Sequence, residues 1–121
     1  MLQAPITKHT FDLEDRTLEF SKTVIQLCKK VPRNATNIEL ISQLVRSSGS
    51  VGANYREAND ALSKKDFTHR ILITRREAKE AYYWLQLLKE ENSSLACDID
   101  KALQEAMQLK KIFSAIAGKV S

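Results

Sequence analysis

Apolar residues recur at alternating steps of three and four along most of the chain, and this spacing predicts amphipathic helices. The first helix, at about residues 12–31, carries the row Leu13, Thr17, Phe20, Val24, Leu27 and Val31. A second row of Leu18, Ile25 and Cys28 widens its apolar face. Pro32 cannot continue a helix and therefore ends it.

Three further segments repeat this pattern. The second helix, 37–62, carries Ile41, Leu44, Ser48, Val51, Tyr55, Ala58 and Leu62. The third, 64–91, carries Phe67, Ile71, Thr74, Ala78, Ala81, Leu85 and Leu88. The fourth, 95–119, carries Leu95, Ile99, Ala102, Ala106, Leu109, Phe113 and Ile116, and its row continues to Val120.

Helix starts are marked by capping residues. Thr36 and Glu39 form the sequence signature of a capping box, and Ser63 precedes Asp66 in the same way. Ser93 or Ser94 is expected to cap the last helix. With an irregular arm over residues 1–10, the pattern predicts an all-α, up-down-up-down antiparallel four-helix bundle over residues 11–121.

One segment of the second helix, Arg46 to Ala58, is unusually rich in small and polar residues. An interior glycine costs a helix roughly 1 kcal/mol relative to alanine, so Gly49 and Gly52 are expected to mark close approach of another helix. Arg46, Ser50, Asn54 and Glu57 form a polar stripe beside the apolar row. This stripe is either a solvated face or a hydrogen-bonded network at a helix or subunit contact.

Composition adds few constraints. The 121 residues carry a net charge of +4, which permits nucleic-acid binding without requiring it. No apolar run is long enough for a membrane span, and the N-terminus lacks the apolar core of a signal peptide. We therefore expect a cytoplasmic protein without a membrane partner, in which the isolated Cys28 and Cys97 are reduced thiols.

Residues suited to catalysis are scarce. His9 and His69 belong to no metal-binding pair, and neither a phosphate-binding glycine loop nor a base near the serines of residues 47–50 is present. We expect no enzyme activity, no metal and no cofactor.

The third helix concentrates basic residues ahead of an aromatic run. Its cations are Lys64, Lys65, Arg70, Arg75, Arg76 and Lys79, and Tyr82, Tyr83 and Trp84 follow. Basic and aromatic side chains together can hold phosphates and stack bases. The alternative is a solvated helix face whose aromatic residues pack within the protein, with Trp84 as a packing anchor.

The segment RSSGSVGANYREA, followed by SKKDF and REAKEAYYWLQLL, resembles the bacterial 23S rRNA intervening-sequence proteins, a ribosomal-protein-like family of four-helix bundles. Arg46, Ser50, Asn54 and Glu57 match its spaced polar signature, and Phe67 and Glu80 also fit. Ala58 stands where the family often has glycine. The family is related to the accessory protein of diversity-generating retroelements, a basic pentameric barrel that binds nucleic acid and a reverse transcriptase.

The resemblance implies a homopentameric ring that binds structured RNA or other nucleic acid. The six cations of the third helix are the expected phosphate contacts, and Glu80, Trp84, the polar stripe and the two glycines are expected at structural or interface positions. Two alternatives stay open at this point. One is a protein-interaction scaffold, for example of the reverse-transcriptase accessory type. The other is a bundle that binds a small molecule.

Overall fold

The computed structural model describes the backbone of residues 4–120 and the side chains of residues 13–119. Helix α1 spans Ala4–Lys29, α2 spans Ala35–Asn59, α3 spans Lys64–Glu91 and α4 spans Ala96–Val120. Each helix packs against its neighbour in the chain, and α4 closes the bundle against α1. No strand occurs in this part of the chain. The predicted all-α four-helix bundle is confirmed.

The bundle core is formed by the apolar rows that the sequence pattern predicts. Phe20, Val51, Leu85 and Phe113 are all buried, one from each helix. Tyr55 and Phe113 bring their ring centroids within 5.4 Å across the core. Burying a side chain of this size stabilises a fold by about 1.5–3 kcal/mol, so these rows account for the packing of the four helices.

Three residues predicted to lie in apolar rows are exposed instead. Leu62 follows the end of α2, which stops at Asn59, and the residue is 99% exposed in the α2–α3 connection. Leu18 and Ile25 lie on α1 outside the buried row and are each 41% exposed. The wide apolar face expected for the first helix is therefore only partly covered within one chain.

The N-terminal segment also differs from expectation. Helix α1 begins at Ala4, so the irregular arm expected over residues 1–10 is helical from its fourth residue. Pro5 fits in a first helical turn, where no backbone N–H is needed for an intrahelical bond. Residues 1–3, the side chain of His9 and the side chain of Val120 lie outside the described part of the protein.

Of the three helix caps predicted from the sequence, the structure confirms one. Ser63 caps α3, and its hydroxyl accepts from the backbone N–H of Asp66 at 3.0 Å. Helix α2 is capped by Asn34 rather than Thr36, because the Asn34 side chain accepts from the N–H of Asn37 at 2.8 Å.

The start of α4 uses no serine cap. A 3₁₀ turn, Ser93–Leu95, precedes the helix, and neither Ser93 nor Ser94 is its capping residue. Asn92 occupies the position before this turn, but its side chain is directed into the bundle and makes no capping bond.

A buried pair of amides ties the two loops at this end of the bundle together. The Asn37 Nδ2 donates to Asn92 Oδ1 at 3.0 Å, and Asn92 Nδ2 donates back to Asn37 Oδ1 at 2.9 Å. The same two amino groups also donate to the carbonyls of Pro32 and Leu88, each at 2.9 Å. Buried polar groups require such partners, so the pair fixes how the loop before α2 meets the end of α3.

Candidate nucleic-acid interface

The basic residues of α3 are divided among three locations. Lys64 and Lys65 are exposed in the first turn of the helix. Arg70 lies toward α2 and donates from Nη1 to Asn54 Oδ1 at 3.1 Å. Arg75, Arg76 and Lys79 instead line a groove between α3 and α4. The six predicted cations therefore do not form one cluster.

The α3–α4 groove has a volume of about 560 Å³ and is open to solvent. It brings three cations of α3 together with Lys110 of α4, and its remaining lining residues are His69, Leu72, Ile73 and Ser114. Both helices thus supply positive charge to one elongated depression. Apolar groups beside the charges suit a ligand that combines phosphate with less polar parts.

Most of the charge in this groove has no intramolecular counter-ion. Across the described side chains, no carboxylate oxygen lies within 4.0 Å of a nitrogen of Arg75, Lys79 or Lys110. Arg76 Nη2 is 4.0 Å from Glu77 Oε2, a long contact on a largely exposed side chain. Because the distance is long and the Arg76 side chain is largely in solvent, this contact neutralises little of its charge. The groove is therefore a positively charged surface available to an anionic partner.

Lys110 was not among the residues singled out as contacts from the sequence. In the sequence it stands out only as a cation in the second half of the fourth helix. The antiparallel pairing of α3 and α4 places it across from the middle of α3. Aligning the two helices in an antiparallel register would have indicated this proximity.

A row of outward-facing residues on α3 includes three that line the groove, Leu72, Arg76 and Lys79. Its exposed members are Lys65, Leu72, Arg76, Lys79 and Tyr83. Trp84 is partly buried against the core, as expected of a packing anchor, and its Nε1 donates to Glu80 Oε2 at 3.3 Å. Tyr83 and Trp84 contact each other edge to face, with centroids 5.1 Å apart.

The polar stripe of α2 lies at the opposite side of α3 from the basic groove. Asn54 connects the two helices, since its Nδ2 donates to the Ser50 carbonyl at 2.9 Å while its Oδ1 accepts from Arg70. Arg46 donates to Gln43 on its own helix, and Glu57 is exposed. The polar stripe of α2 is thus linked to α3 by the hydrogen bond between Asn54 and Arg70, which lies within the bundle.

One acidic residue of α3, Glu77, interacts with charged residues of two helices. Partial burial, followed by the neighbouring charge of Glu80, raises the pKa of Glu77, and the charges of Arg76 and Arg46 oppose this rise. The Glu77 carboxylate therefore lies near charges on both sides of α3, Arg46 of α2 and Arg76 of the α3–α4 groove.

The two glycines of α2 have different surroundings. A Cβ atom at Gly52 would lie 3.1 Å from Thr17 Oγ1, so this glycine permits close approach of α1 and α2. A Cβ at Gly49 would have no neighbour within 4 Å, and Gly49 is exposed. Within the bundle, close packing is therefore confirmed at Gly52 and contradicted at Gly49.

The described part of the chain holds neither a metal-binding cluster nor a membrane-spanning helix. No group of three or more His, Cys, Asp or Glu side chains there could hold a metal ion. No helix between residues 4 and 120 is long and apolar enough to cross a membrane. Burial raises the pKa of the Cys28 thiol to about 11, which keeps it protonated near neutral pH.

Comparisons with known proteins agree with this architecture. The 23S rRNA-intervening sequence protein family matches residues 10–115. Among solved structures, the chain is similar to a protein of unknown function from the S23 ribosomal protein family of Bacteroides thetaiotaomicron VPI-5482. The two are 28% identical with a TM-score of 0.77, and the match covers 87% of this chain and 97% of the other. Comparison with curated proteins gives no match. The family match extends over nearly the whole bundle, and the chain therefore belongs to the 23S rRNA-intervening sequence protein family.

Proposed function

We propose that this protein is a non-enzymatic, homo-oligomeric four-helix bundle that binds structured RNA or other nucleic acid through the α3–α4 groove. The observation that carries the proposal is the set of unpaired cations contributed by two helices to one open depression. Lysine and arginine bind phosphates mainly through charge, so these residues hold the nucleic-acid backbone without reading its sequence. Lys64 and Lys65 extend the positive surface toward the start of α3.

The proposed binding mode assigns different tasks to the predicted cations. Arg75, Arg76, Lys79 and Lys110 contact phosphates in the groove. Arg70 instead holds Asn54 through a hydrogen bond and supports the α2–α3 contact. This division is testable, because removal of a phosphate contact changes the salt dependence of binding, whereas loss of a structural contact does not change it directly.

A salt titration with charge-matched variants tests the proposal. Lys79→Gln with Lys110→Gln removes two groove charges, and Lys101→Gln with Lys119→Gln removes two exposed charges of α4 that line neither this groove nor the apolar groove between α1 and α2. We expect the first variant to reduce the slope of log affinity against log salt by about 2. The second should leave that slope near the wild-type value. RNA binding that is insensitive to salt, or equal effects of both variants, would refute this site.

The assembly part of the proposal concerns a different surface. Ile25 of α1 and Ile38 and Val45 of α2 are exposed along a groove between these two helices. A continuous patch of exposed aliphatic side chains commonly marks a protein interface, and we assign it to a second copy of this chain. In a ring of five, as the family resemblance implies, the single-chain charge of +4 would be multiplied and would strengthen the field at the basic grooves.

Light scattering coupled to gel filtration tests the assembly. A multiple of 13.7 kDa that falls to the single-chain mass after Ile38→Glu supports it. A monomeric wild type would refute it while leaving the salt titration interpretable. The same apolar groove favours a second candidate function, a scaffold that docks another protein. That function predicts co-purification of a partner that survives nuclease treatment and is lost in Ile38→Glu.

A further inference from the structure

An exposed tyrosine lies on α3 immediately beyond the basic groove residues, and the proposed nucleic-acid contact does not account for it. Tyr83 is 53% exposed. It follows Lys79 by four residues and Arg76 by seven, so the three lie on one helix face. At a rise of about 1.5 Å per residue, Tyr83 lies about 6 Å beyond Lys79 along the helix.

The contact between Tyr83 and Trp84 does not enclose the tyrosine ring. Its contact with Trp84 has an interplanar angle of 69° and a centroid distance of 5.1 Å. In such an arrangement the edge of one ring meets the face of the other. Trp84 therefore covers at most one face of the Tyr83 ring, and Tyr83 as a whole is more than half exposed.

The partner ring is itself held in place. Trp84 packs against the core, donates from Nε1 to Glu80 Oε2 and contacts the Tyr83 ring. An aromatic side chain that is both exposed and supported loses little conformational freedom on binding a ligand. These features indicate that the Tyr83 ring is preorganised for stacking on a ligand.

We infer that Tyr83 stacks on an unpaired nucleobase, and that the ligand of the basic groove therefore includes single-stranded nucleotides. This inference rests on the proposed function of that groove. In a duplex the base faces are covered by neighbouring base pairs, so a protein ring can reach them only at the ends. Unpaired bases in loops, bulges and single strands offer a free face while their phosphates remain available to Lys79 and Arg76.

The test compares wild type with Tyr83→Ala and Tyr83→Phe, using a single-stranded oligouridylate and a long, fully paired RNA duplex as probes. Tyr83→Ala should weaken oligouridylate binding roughly 5- to 150-fold, the range measured when a stacking side chain is removed. Tyr83→Phe retains the ring and should bind almost as wild type. Affinity for the duplex should be unchanged in both variants.

An abasic oligomer of the same length separates stacking from charge, since it keeps the phosphates and lacks the bases. Wild type should prefer oligouridylate over this oligomer, and Tyr83→Ala should lose the preference. Trp84 is the only tryptophan of the chain and adjoins Tyr83, so its emission should change on binding of oligouridylate but not of the abasic oligomer.

The outcomes distinguish this inference from the function on which it rests. If Tyr83→Ala binds oligouridylate as tightly as wild type while Lys79→Gln with Lys110→Gln weakens binding, base stacking by Tyr83 is refuted and nucleic-acid binding by the groove is supported. If the wild-type protein binds none of the probes, both stacking and binding by the groove are refuted. If Tyr83→Ala alters only the mass measured by light scattering, Tyr83 belongs to a protein interface and the inference fails. Circular dichroism should show wild-type helicity for both Tyr83 variants, because the side chain is exposed.

Discussion

The reciprocal amide pair Asn37–Asn92 should be strongly coupled energetically. Asn37 is 2% exposed and Asn92 is 7% exposed. Substitution of Asn37 by alanine removes three hydrogen bonds, two to Asn92 and one to the Pro32 carbonyl. Asn92 then keeps the Leu88 carbonyl as the acceptor of its amino group, and its Oδ1 loses its only protein donor.

The magnitude follows from the burial of these groups. A buried hydrogen bond contributes about 1 kcal/mol, and a buried polar atom left without a partner costs about 1–3 kcal/mol. The lost bonds between the two amides are counted through the unpaired Asn92 Oδ1, at about 1–3 kcal/mol, and the lost Pro32 bond adds about 1 kcal/mol. We therefore expect Asn37→Ala to lower the free energy of unfolding by about 2–4 kcal/mol, and Asn92→Ala to have an effect of similar size. The double variant leaves neither side chain unpaired. Its effect should fall short of the sum by about 1–3 kcal/mol.

Urea denaturation of the wild type, the two single variants and the double variant measures this coupling. Protein concentration must be constant, because assembly would otherwise shift the apparent stability. Asn59 provides a matched control, since its Nδ2 donates to Glu14 Oε2 at 2.9 Å on the exposed surface. The cycle of Asn59→Ala with Glu14→Ala should give a coupling below about 0.5 kcal/mol. Additive effects of Asn37→Ala and Asn92→Ala would refute the reasoning.

Two further predictions concern α2 and the cysteines. Gly52→Ala should destabilise the fold by about 1–2 kcal/mol, because Thr17 Oγ1 is held by a carbonyl of its own helix and cannot easily move away from the new methyl group. Gly49→Ala should stabilise the fold by up to about 1 kcal/mol, because alanine has the higher helix propensity and the position is open. Equal effects of the two variants in thermal melts would contradict this. Iodoacetamide at pH 8 should label the exposed Cys97 well before Cys28, because burial raises the pKa of the Cys28 thiol to about 11. Mass spectrometry of tryptic peptides measures the order of labelling.

The polar residues at the helix ends show where sequence reasoning was insufficient. Thr36 and Asn34 are both good capping residues, and the choice between them depends on where the loop leaves α1. Asn92 resembles an ordinary helix-end residue in sequence. Its pairing with Asn37, 55 positions away, arises only when the two loops meet at one end of the bundle.

Some features of the candidate site can be predicted from the sequence, and others depend on the tertiary structure. The cations of α3 are visible in the sequence, and their helical spacing predicts the exposed row that ends at Tyr83. Arg70 and Arg75 differ by five residues, which turns them to opposite flanks of the helix. Their separate roles, and the contribution of Lys110, depend on which helix packs against each flank.

The sequence by itself determined the number and order of the helices, most of each buried row and the all-α bundle, because apolar residues spaced three and four apart fall on one helix face, which is stable only when it is buried. It also determined the family signature of Arg46, Ser50, Asn54 and Glu57. Tertiary structure decided which small and polar residues have partners. Gly52 contacts α1 while Gly49 faces solvent, and the basic groove takes one cation from α4. Such contacts depend on helix rotation and register, which local spacing does not specify.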